Sequence, residues 1–392
     1  MSAIDSTTPT ENEKGHRGFL FTGFASLFLI SFLDNSRGPI LPLLCEKLAI
    51  PYETAGTFLT LGCMAAVLST FLLGYALRRY SERNVALGIA AFVILPGLLA
   101  PFVTSKWTFL LLGTLMGSAV TLMGTMCNIL TIKGSPNHLR GRHLSLQQVM
   151  YGLGSLLAPL VFAQLIRLHF DWSWMLVGCS VAILFLAVGY ARLLPNDPAP
   201  PISQAKPKAR LSRSAILIVV LFSIYVGGEV LASMWMNLLM VGKHGKTPAE
   251  AAFYGMIFFA LISGTRFLCF LFVRPKWEGI VLSVSLGLGT IFGVLGQQGH
   301  SWALAAMGII GPFFPLCLAR ISRDFPDDWK SMTVLVFMGI QITLAIMHQS
   351  VGTLADTLGI ENAFLLSPLF LFIALILLRS SLNPKIMTPS AP

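Results

Sequence analysis

An all-α integral membrane protein of twelve transmembrane helices, arranged as two pseudo-symmetric six-helix bundles, is the fold class this sequence predicts. Three observations predict it. Of the 392 residues, 55% are hydrophobic and only 11% are charged, and the mean hydropathy is +0.75. Soluble domains carry about 25% charged residues, so this chain needs lipid as its solvent. Apolar stretches long enough to cross a hydrocarbon core of about 30 Å recur twelve times. Midway along the chain a segment rich in Pro, Lys and Arg interrupts them.

The elements follow in order. Residues 1–17 are polar and hold no apolar core followed by a cleavage site, so they read as a cytoplasmic tail, and insertion starts with the first helix. Spans fall near 18–43, 54–77, 84–104, 107–132, 143–167 and 173–193, giving an N-terminal bundle over 18–193. The stretch "LPNDPAPPISQAKPKARLSRS" begins at Leu194 and lacks apolar periodicity, which predicts a cytoplasmic linker over 194–213. Six more spans, near 214–240, 249–273, 279–298, 301–322, 330–354 and 361–381, make a C-terminal bundle over 214–381, with a cytoplasmic tail at 382–392.

Basic residues orient the chain. With the N-terminus inside, twenty of the 27 Lys and Arg fall on the inner side, five (47, 106, 167, 243 and 246) outside, and Arg37 and Arg266 within spans. By the positive-inside rule both termini are cytoplasmic. The net charge of +10 is then explained by anionic lipid at the inner face and calls for no nucleic-acid partner. Six cysteines (Cys45, Cys63, Cys127, Cys179, Cys269 and Cys317) stand singly in or beside apolar segments, without metal-ligand spacing, and read as reduced packing residues. A monomer in a bacterial inner membrane is the expected setting.

A faint repeat relates the halves: "TFLLGYALR" from Thr70 aligns without gaps on "RFLCFLFVR" from Arg266, and each ends an even-numbered helix. Duplicated halves fit an alternating-access carrier with its site between them at mid-membrane.

Intramembrane polar residues are the candidates for that site, because each is costly in lipid unless it works or is paired. On helix 1, Asp34 and Arg37 are i,i+3 neighbours able to pair within the helix. They read either as a self-neutralised structural pair or as a charged cavity lining. On helix 4, Thr121, Thr125 and Asn128 share a face, as do Gln148, Tyr151 and Ser155 on helix 5. Helix 7 carries the richest stripe, with Tyr225, Gly228, Glu229, Ala232, Met236 and Asn237 along one side. Glu229, near mid-span and without a basic residue on its stripe, is expected to spend part of its time protonated, as a proton-coupling site requires; a neutral structural Glu is the alternative. Trp235 reads as a stacking surface for a ring-shaped ligand or as an interfacial anchor. Gln341 and His348, seven residues apart on helix 11, share a face, and His348 is either a proton relay or a packed, satisfied ring. Arg266, placed near the cytoplasmic end of helix 8, reads as a snorkelling cation. The chain has no phosphate-binding loop, nucleophile elbow or metal-ligand set. No cofactor and no enzymatic activity are therefore expected.

Several short motifs now resemble a known family, the major facilitator carriers, and within them the fucose:proton symporter family, which also includes glucose and galactose carriers. The resemblance spreads over the whole chain. The loop after helix 2, "GYALRRYSER", has Gly74 followed by the basic pair Arg78 and Arg79, as that family does. Asn128 stands where the family has an Asn on helix 4, and "LQQVMYGLGSLLAP" from Leu146 is similar to its helix 5, with Gln148 on the sugar-contacting Gln. "YVGGE" from Tyr225, followed by Trp235, is the most specific match; "GTRF" from Gly264 and "FFP" from Phe313 resemble the family's helices 8 and 10. The family's functional carboxylates on helices 1 and 4 align with Gly38 and Gly124.

The resemblance implies a secondary transporter of a small solute, a sugar above all, coupled to protons. Asp34 and Glu229 are the acids left to carry the proton. Gln148, Tyr151, Asn128, Arg37, Tyr225, Trp235, Asn237, Gln341 and His348 are the expected solute contacts, with Gly74, Arg78, Arg79 and Arg266 serving the conformational change. Two other readings stay open: an exporter of a small organic or amphipathic compound, since 16 Met and 28 Phe would line an adaptable pocket, and a non-transporting sensor of the same fold.

Overall fold

The computed structural model describes residues 11–136, 139–196, 213–273, 275–317 and 329–381. The tail over 1–10, the linker through 197–212, Arg274, the end of the tenth span over 318–328 and the tail over 382–392 lie outside the described residues. Twelve apolar helical segments are present, and no strand occurs among the described residues. They are α1 (Glu11–Leu48), α2 (Tyr52–Arg79), α3 (Glu82–Phe102), α4 (Lys106–Gly134), α5 (Arg140–Arg167), α6 (Ser173–Leu193), α7 (Arg213–Gly242), α8 (Pro248–Phe272), α9 (Glu278–Gln297), α10 (Ser301–Cys317), α11 (Trp329–Leu358) and α12 (Ile360–Arg379). Eleven are long and apolar enough to span a membrane, and α10 is the shorter one.

Local signals start and break these helices where physics requires. Ser105 and Thr108 form a reciprocal capping box at α4, as Thr247 and Glu250 do at α8, so the first backbone N–H groups of each find partners. Ser81 accepts from the Asn84 N–H at the start of α3. Proline sets the interruptions. Pro96 follows the break of α3 at Ile94, and α10 passes through a 3-10 turn at Met307–Ile310 just before Gly311-Pro312. Twelve apolar segments are thus present, eleven of them long enough to span, and α3, α10 and α12, the last broken at Leu365, are not continuous helices. α1 runs to Leu48, five residues past its predicted end, with Lys47 in its last turn.

The same pairings recur six helices apart. α1 packs on α5 and α6 as α7 packs on α11 and α12, and α3 packs on α6 as α9 does on α12. Across the middle, α1 meets α7, α2 meets α11 and α5 meets α8. Close backbone approach makes some of these contacts possible. A Cβ on Gly117 of α4 would run into the Gly62 backbone of α2, and one on Gly38 of α1 would stand 2.9 Å from the Ser233 carbonyl oxygen of α7.

The bundle has two ends. We call basal the end carrying the turns at 79–82, 134–136 and 193–196, and distal the end carrying those at 48–52, 168–173 and 243–247. Among the described residues, every hydrogen bond between the halves joins α2 to α11 in the distal half. The N–H groups of Tyr52 and Glu53 donate to the Asp356 carboxylate at 2.9 and 2.7 Å, Thr57 to Gln349 at 3.2 Å, and Thr60 to the Ala345 carbonyl at 3.0 Å. The Cα-bare face of Gly56 rests on the backbone of His348 and Gly352 just below. The distal end is thereby shut.

Candidate functional site

Beneath that closure lies a cavity of about 150 Å³ between the halves, with walls from α1, α2, α4, α5, α7, α8 and α11. Both halves bring charge to it in the same form, a carboxylate with its own guanidinium.

On the N-terminal side the pair is intrahelical. Asp34 and Arg37 form a salt bridge at i,i+3, and Arg37 Nε also donates to the Asp34 carbonyl at 3.1 Å. Tyr151 of α5 donates to the other carboxylate oxygen at 3.3 Å. Next to them Asn35 donates to Ser155 Oγ at 2.9 Å, and Ser155 in turn donates to the Tyr151 carbonyl at 2.8 Å. The side chains of Asp34 and Arg37 keep 16% and 14% of their surface exposed, enough to face the cavity while shielded from bulk solvent. Both residues line the cavity and pair with each other.

On the C-terminal side the pair joins two helices. Arg266 of α8 donates through Nη2 to Glu229 of α7 at 3.1 Å and through Nε to the Gly311 carbonyl at 3.0 Å. This adds to the sequence expectation for Glu229 and corrects it for Arg266. Glu229 has a basic partner, supplied by another helix, and Arg266 turns into the bundle instead of snorkelling toward a face. The physical reason lies in α10. Pro315 has no N–H to return to Gly311, so that carbonyl is freed inside the membrane, and Arg266 satisfies it.

Tyr225 completes this cluster. Its hydroxyl meets the Glu229 carboxylate and stands 3.0 Å from the Ile310 carbonyl, while its ring stacks on Phe313 at 3.9 Å between centroids. A phenol has one proton to give. With Glu229 ionised, the hydroxyl donates to the carboxylate. With Glu229 protonated, the acid donates to the phenol and the phenol is free to donate to Ile310.

α11 supplies Gln341, Leu344 and His348 to the cavity, so the predicted shared face is present. His348 is buried and accepts a hydrogen bond at Nδ1 from Trp235 Nε1 at 3.1 Å. Trp235 is itself fully buried and lies outside the cavity wall. It offers no face to a ligand, and its work is on His348. Tyr225 and Asn237 are likewise buried outside the wall, Asn237 with its amide against Gly38.

Asn128 and Gln148 are exposed and outside the wall. Thr121, about two turns earlier on α4, and Tyr151, about one turn later on α5, take the lining positions; at about 1.5 Å rise per residue, both expected contacts sit toward the basal end. Gly74, Arg78 and Arg79 are at the basal end of α2, where the Arg79 guanidinium lies 4.7 Å from the Tyr75 ring centre. At Gly38 the wall of α7 leaves no room for a carboxylate side chain, whereas Gly124 has nothing within 4 Å of a built Cβ. Sequence reasoning missed Asn35, Ser233 and Ser263, all of which line the cavity. Their signal was small polar residues in otherwise apolar helices.

The summed arrangement is two carboxylates, two guanidiniums, and a ring of hydroxyl, amide and imidazole groups. With both acids ionised the formal charge is zero. Such a site fits a small polar solute that exchanges hydrogen bonds with its walls. All six cysteines are free, and no cluster of metal-ligating residues occurs among the described residues.

A family model described as Major Facilitator Superfamily matches residues 23–311. Solved structures share the fold over nearly their whole length at low identity. The nucleoside transporter NupG has a TM-score of 0.70 at 14% identity, covering 93% of this chain and 99% of that one. A D-xylose-proton symporter has 0.69 at 16%, covering 92% and 97%. The peptide transporter POT in complex with sulfate has 0.73 at 13%, covering 94% of each. No curated protein matches the chain.

Proposed function

Because the chain belongs to the Major Facilitator Superfamily, a superfamily of multi-pass membrane carriers rather than enzymes, we propose that it is a secondary transporter of a small neutral polyhydroxylated solute, a monosaccharide, coupled to protons. Low identity means that the neighbours speak for the fold alone. The sugar reading rests on the motif resemblance and on one observation in particular: a cavity between the halves in which each charge is neutralised within its own wall, leaving hydroxyl, amide and imidazole groups to meet the solute.

Two acids are available for the proton. Glu229 sits where protonation changes the hydrogen bonds of the α10 break, and Asp34 sits where it changes those of Arg37 and Tyr151. The distal closure and the absence of inter-half hydrogen bonds at the basal end, among the described residues, support a basal-facing member of an alternating-access cycle. Asn128 and Gln148, exposed on the basal side, then stand along the solute's route. The basic bias supports a basal end that faces the cytoplasm, against anionic lipid, and a monomer in a bacterial inner membrane belongs to the same proposal.

Purified protein in proteoliposomes tests the reading. Counterflow of labelled D-galactose, D-glucose or L-fucose, accelerated by an inward proton gradient, is the expected result. If a panel of neutral monosaccharides gives no counterflow while an organic ion or amphipathic compound does, the sugar assignment is wrong and the exporter reading takes its place.

A further inference from the structure

We infer that Trp235 is a positioning residue that locks His348 as a neutral Nε2–H donor, and that this donor selects a solute with a hydrogen-bond acceptor facing α11. The inference starts from a single contact. Indole Nε1–H is only a donor, so the 3.1 Å bond to His348 Nδ1 requires that nitrogen to be the acceptor. An imidazole that accepts at Nδ1 carries its proton on Nε2. The hydrogen bond and the burial of the imidazole hold its orientation, with the two rings at an interplanar angle of 27° and 6.4 Å between centroids.

The surroundings direct the Nε2–H. His348 lines the cavity with Gln341 and Leu344 of its own helix and Ser233 and Met234 of α7. Among the described residues Nε2 has no hydrogen-bond partner, and it is not one of the sealed polar atoms of the core. A buried donor without a partner in the protein is costly, so a solute atom that accepts from it gains affinity and one that cannot is rejected. The charged groups sharing the cavity are Asp34, Arg37, Glu229 and Arg266, each already engaged within its own wall. His348 Nε2–H is thus a neutral donor without a partner in its wall, and Trp235 holds it ready. Trp235 never touches the solute, and a ring placed there only for packing would leave the tautomer free.

The ligand half of this inference rests on the carrier reading above; the tautomer half does not. Full-length protein labelled with 15N-histidine is measured in nanodiscs without solute, with the His348 signal identified by its loss in His348→Gln. A single Nε2–H tautomer is expected, turning into a mixture in Trp235→Phe. An Nδ1–H tautomer, or a spectrum unmoved by Trp235→Phe, overturns the proposal whether or not any sugar binds. For the ligand half, D-galactose is compared with its singly deoxygenated and fluorinated analogues. At one ring position the deoxy compound is expected to bind at least about fivefold more weakly than galactose, with the fluoro compound, which still accepts, between them. In His348→Leu that difference should vanish. Persistence of the full deoxy penalty in His348→Leu overturns the selective role of His348. If no galactose binds while the tautomer stands, the sugar assignment falls and the locked donor remains.

Discussion

Arg266 holds Glu229 at 3.1 Å while its own Nε holds the Gly311 carbonyl of the broken α10, so one guanidinium ties the cavity's carboxylate to an interruption in the membrane-spanning backbone. The pair is partly shielded, with 23% and 18% of the two side chains exposed. Removing one partner leaves the other charge without compensation in a poorly solvated place, and the cost of that is larger than for a surface pair.

Glu229→Gln is expected to abolish uphill, pH-driven uptake while sparing solute exchange. The amide mimics the protonated acid in shape and hydrogen bonding, so the site stays loaded and cannot release its proton. Uptake driven by a proton gradient and counterflow without one, measured side by side in proteoliposomes, separate the two. Normal gradient-driven uptake by this variant removes Glu229 from the coupling role.

Tyr225→Phe tests how that proton is felt. The variant keeps the ring that stacks on Phe313 and removes the hydroxyl that touches both Glu229 and Ile310. Exchange should continue, and its dependence on pH should flatten, because protonation of Glu229 no longer frees a donor for α10. A pH profile of exchange parallel to that of the unaltered protein counts against the relay.

The two halves, the number of spans and the Asp34–Arg37 pair were legible in the sequence because each depends on local periodicity: about twenty apolar residues, or two charges three apart. The shared face of Gln341 and His348 was legible for the same reason. Glu229 and Arg266 were both singled out, but as unrelated residues. Their meeting depends on how α7 packs against α8 and on a carbonyl freed by Pro315, which spacing does not encode. Trp235 was left between two readings because an aromatic ring in a span carries no sign of which way it turns. Gln148 shows the limit most sharply. A helix turns about 100° per residue, and Gln147, its neighbour, is the buried one of the two.

For Asp34 and Arg37, single neutralisations should destabilise the protein by about 1 to 3 kcal/mol, below the 3 to 5 kcal/mol of a fully buried pair because the cavity keeps some solvent. The double variant Asp34→Asn, Arg37→Gln should recover much of that stability and remain inactive in pH-driven uptake. Thermal unfolding in detergent together with transport decides it. A stable double variant with ordinary pH-dependent uptake makes the pair purely structural.

His244, in the distal turn after α7, gives a pH dependence with a definite sign. Burial, the largest cause, holds its imidazole below the ordinary value, with Lys246 and His300 acting in the same direction, and it shares a 2.8 Å hydrogen bond with Ser301. The unfolded ring takes up a proton near pH ~6.5 and the folded ring only at lower pH. Stability from the neutral ring is therefore present above that pH and is lost as pH falls through it. His244→Gln, which cannot titrate, should show a shallower fall in melting temperature between pH 8 and 5.5. Equal slopes for the two proteins exclude His244 as a source of the acid sensitivity.

Asp356→Asn probes the distal closure. α2 begins at Tyr52 behind Pro51, which provides no side-chain cap, and the carboxylate that takes its first N–H groups comes from α11 in the other half. A helix cap contributes about 1 kcal/mol, and a negative charge at a helix N-terminus adds a further fraction. This cap exists only while the halves meet at the distal end, so its contribution belongs to that conformation alone. Asparagine keeps one acceptor oxygen and loses the charge, and alanine loses both. The distal-open population should rise by about fivefold for a loss near 1 kcal/mol, more in Asp356→Ala than in Asp356→Asn. A thiol reagent applied from the distal side to Cys63, which lines the cavity beneath the closure, reads that population as a labelling rate. Labelling faster in the order alanine, asparagine, aspartate, with melting temperatures little changed, is the signature of a cap that holds one state. Equal rates across the three would show that packing of Gly56 on Gly352 closes the distal end without help from Asp356.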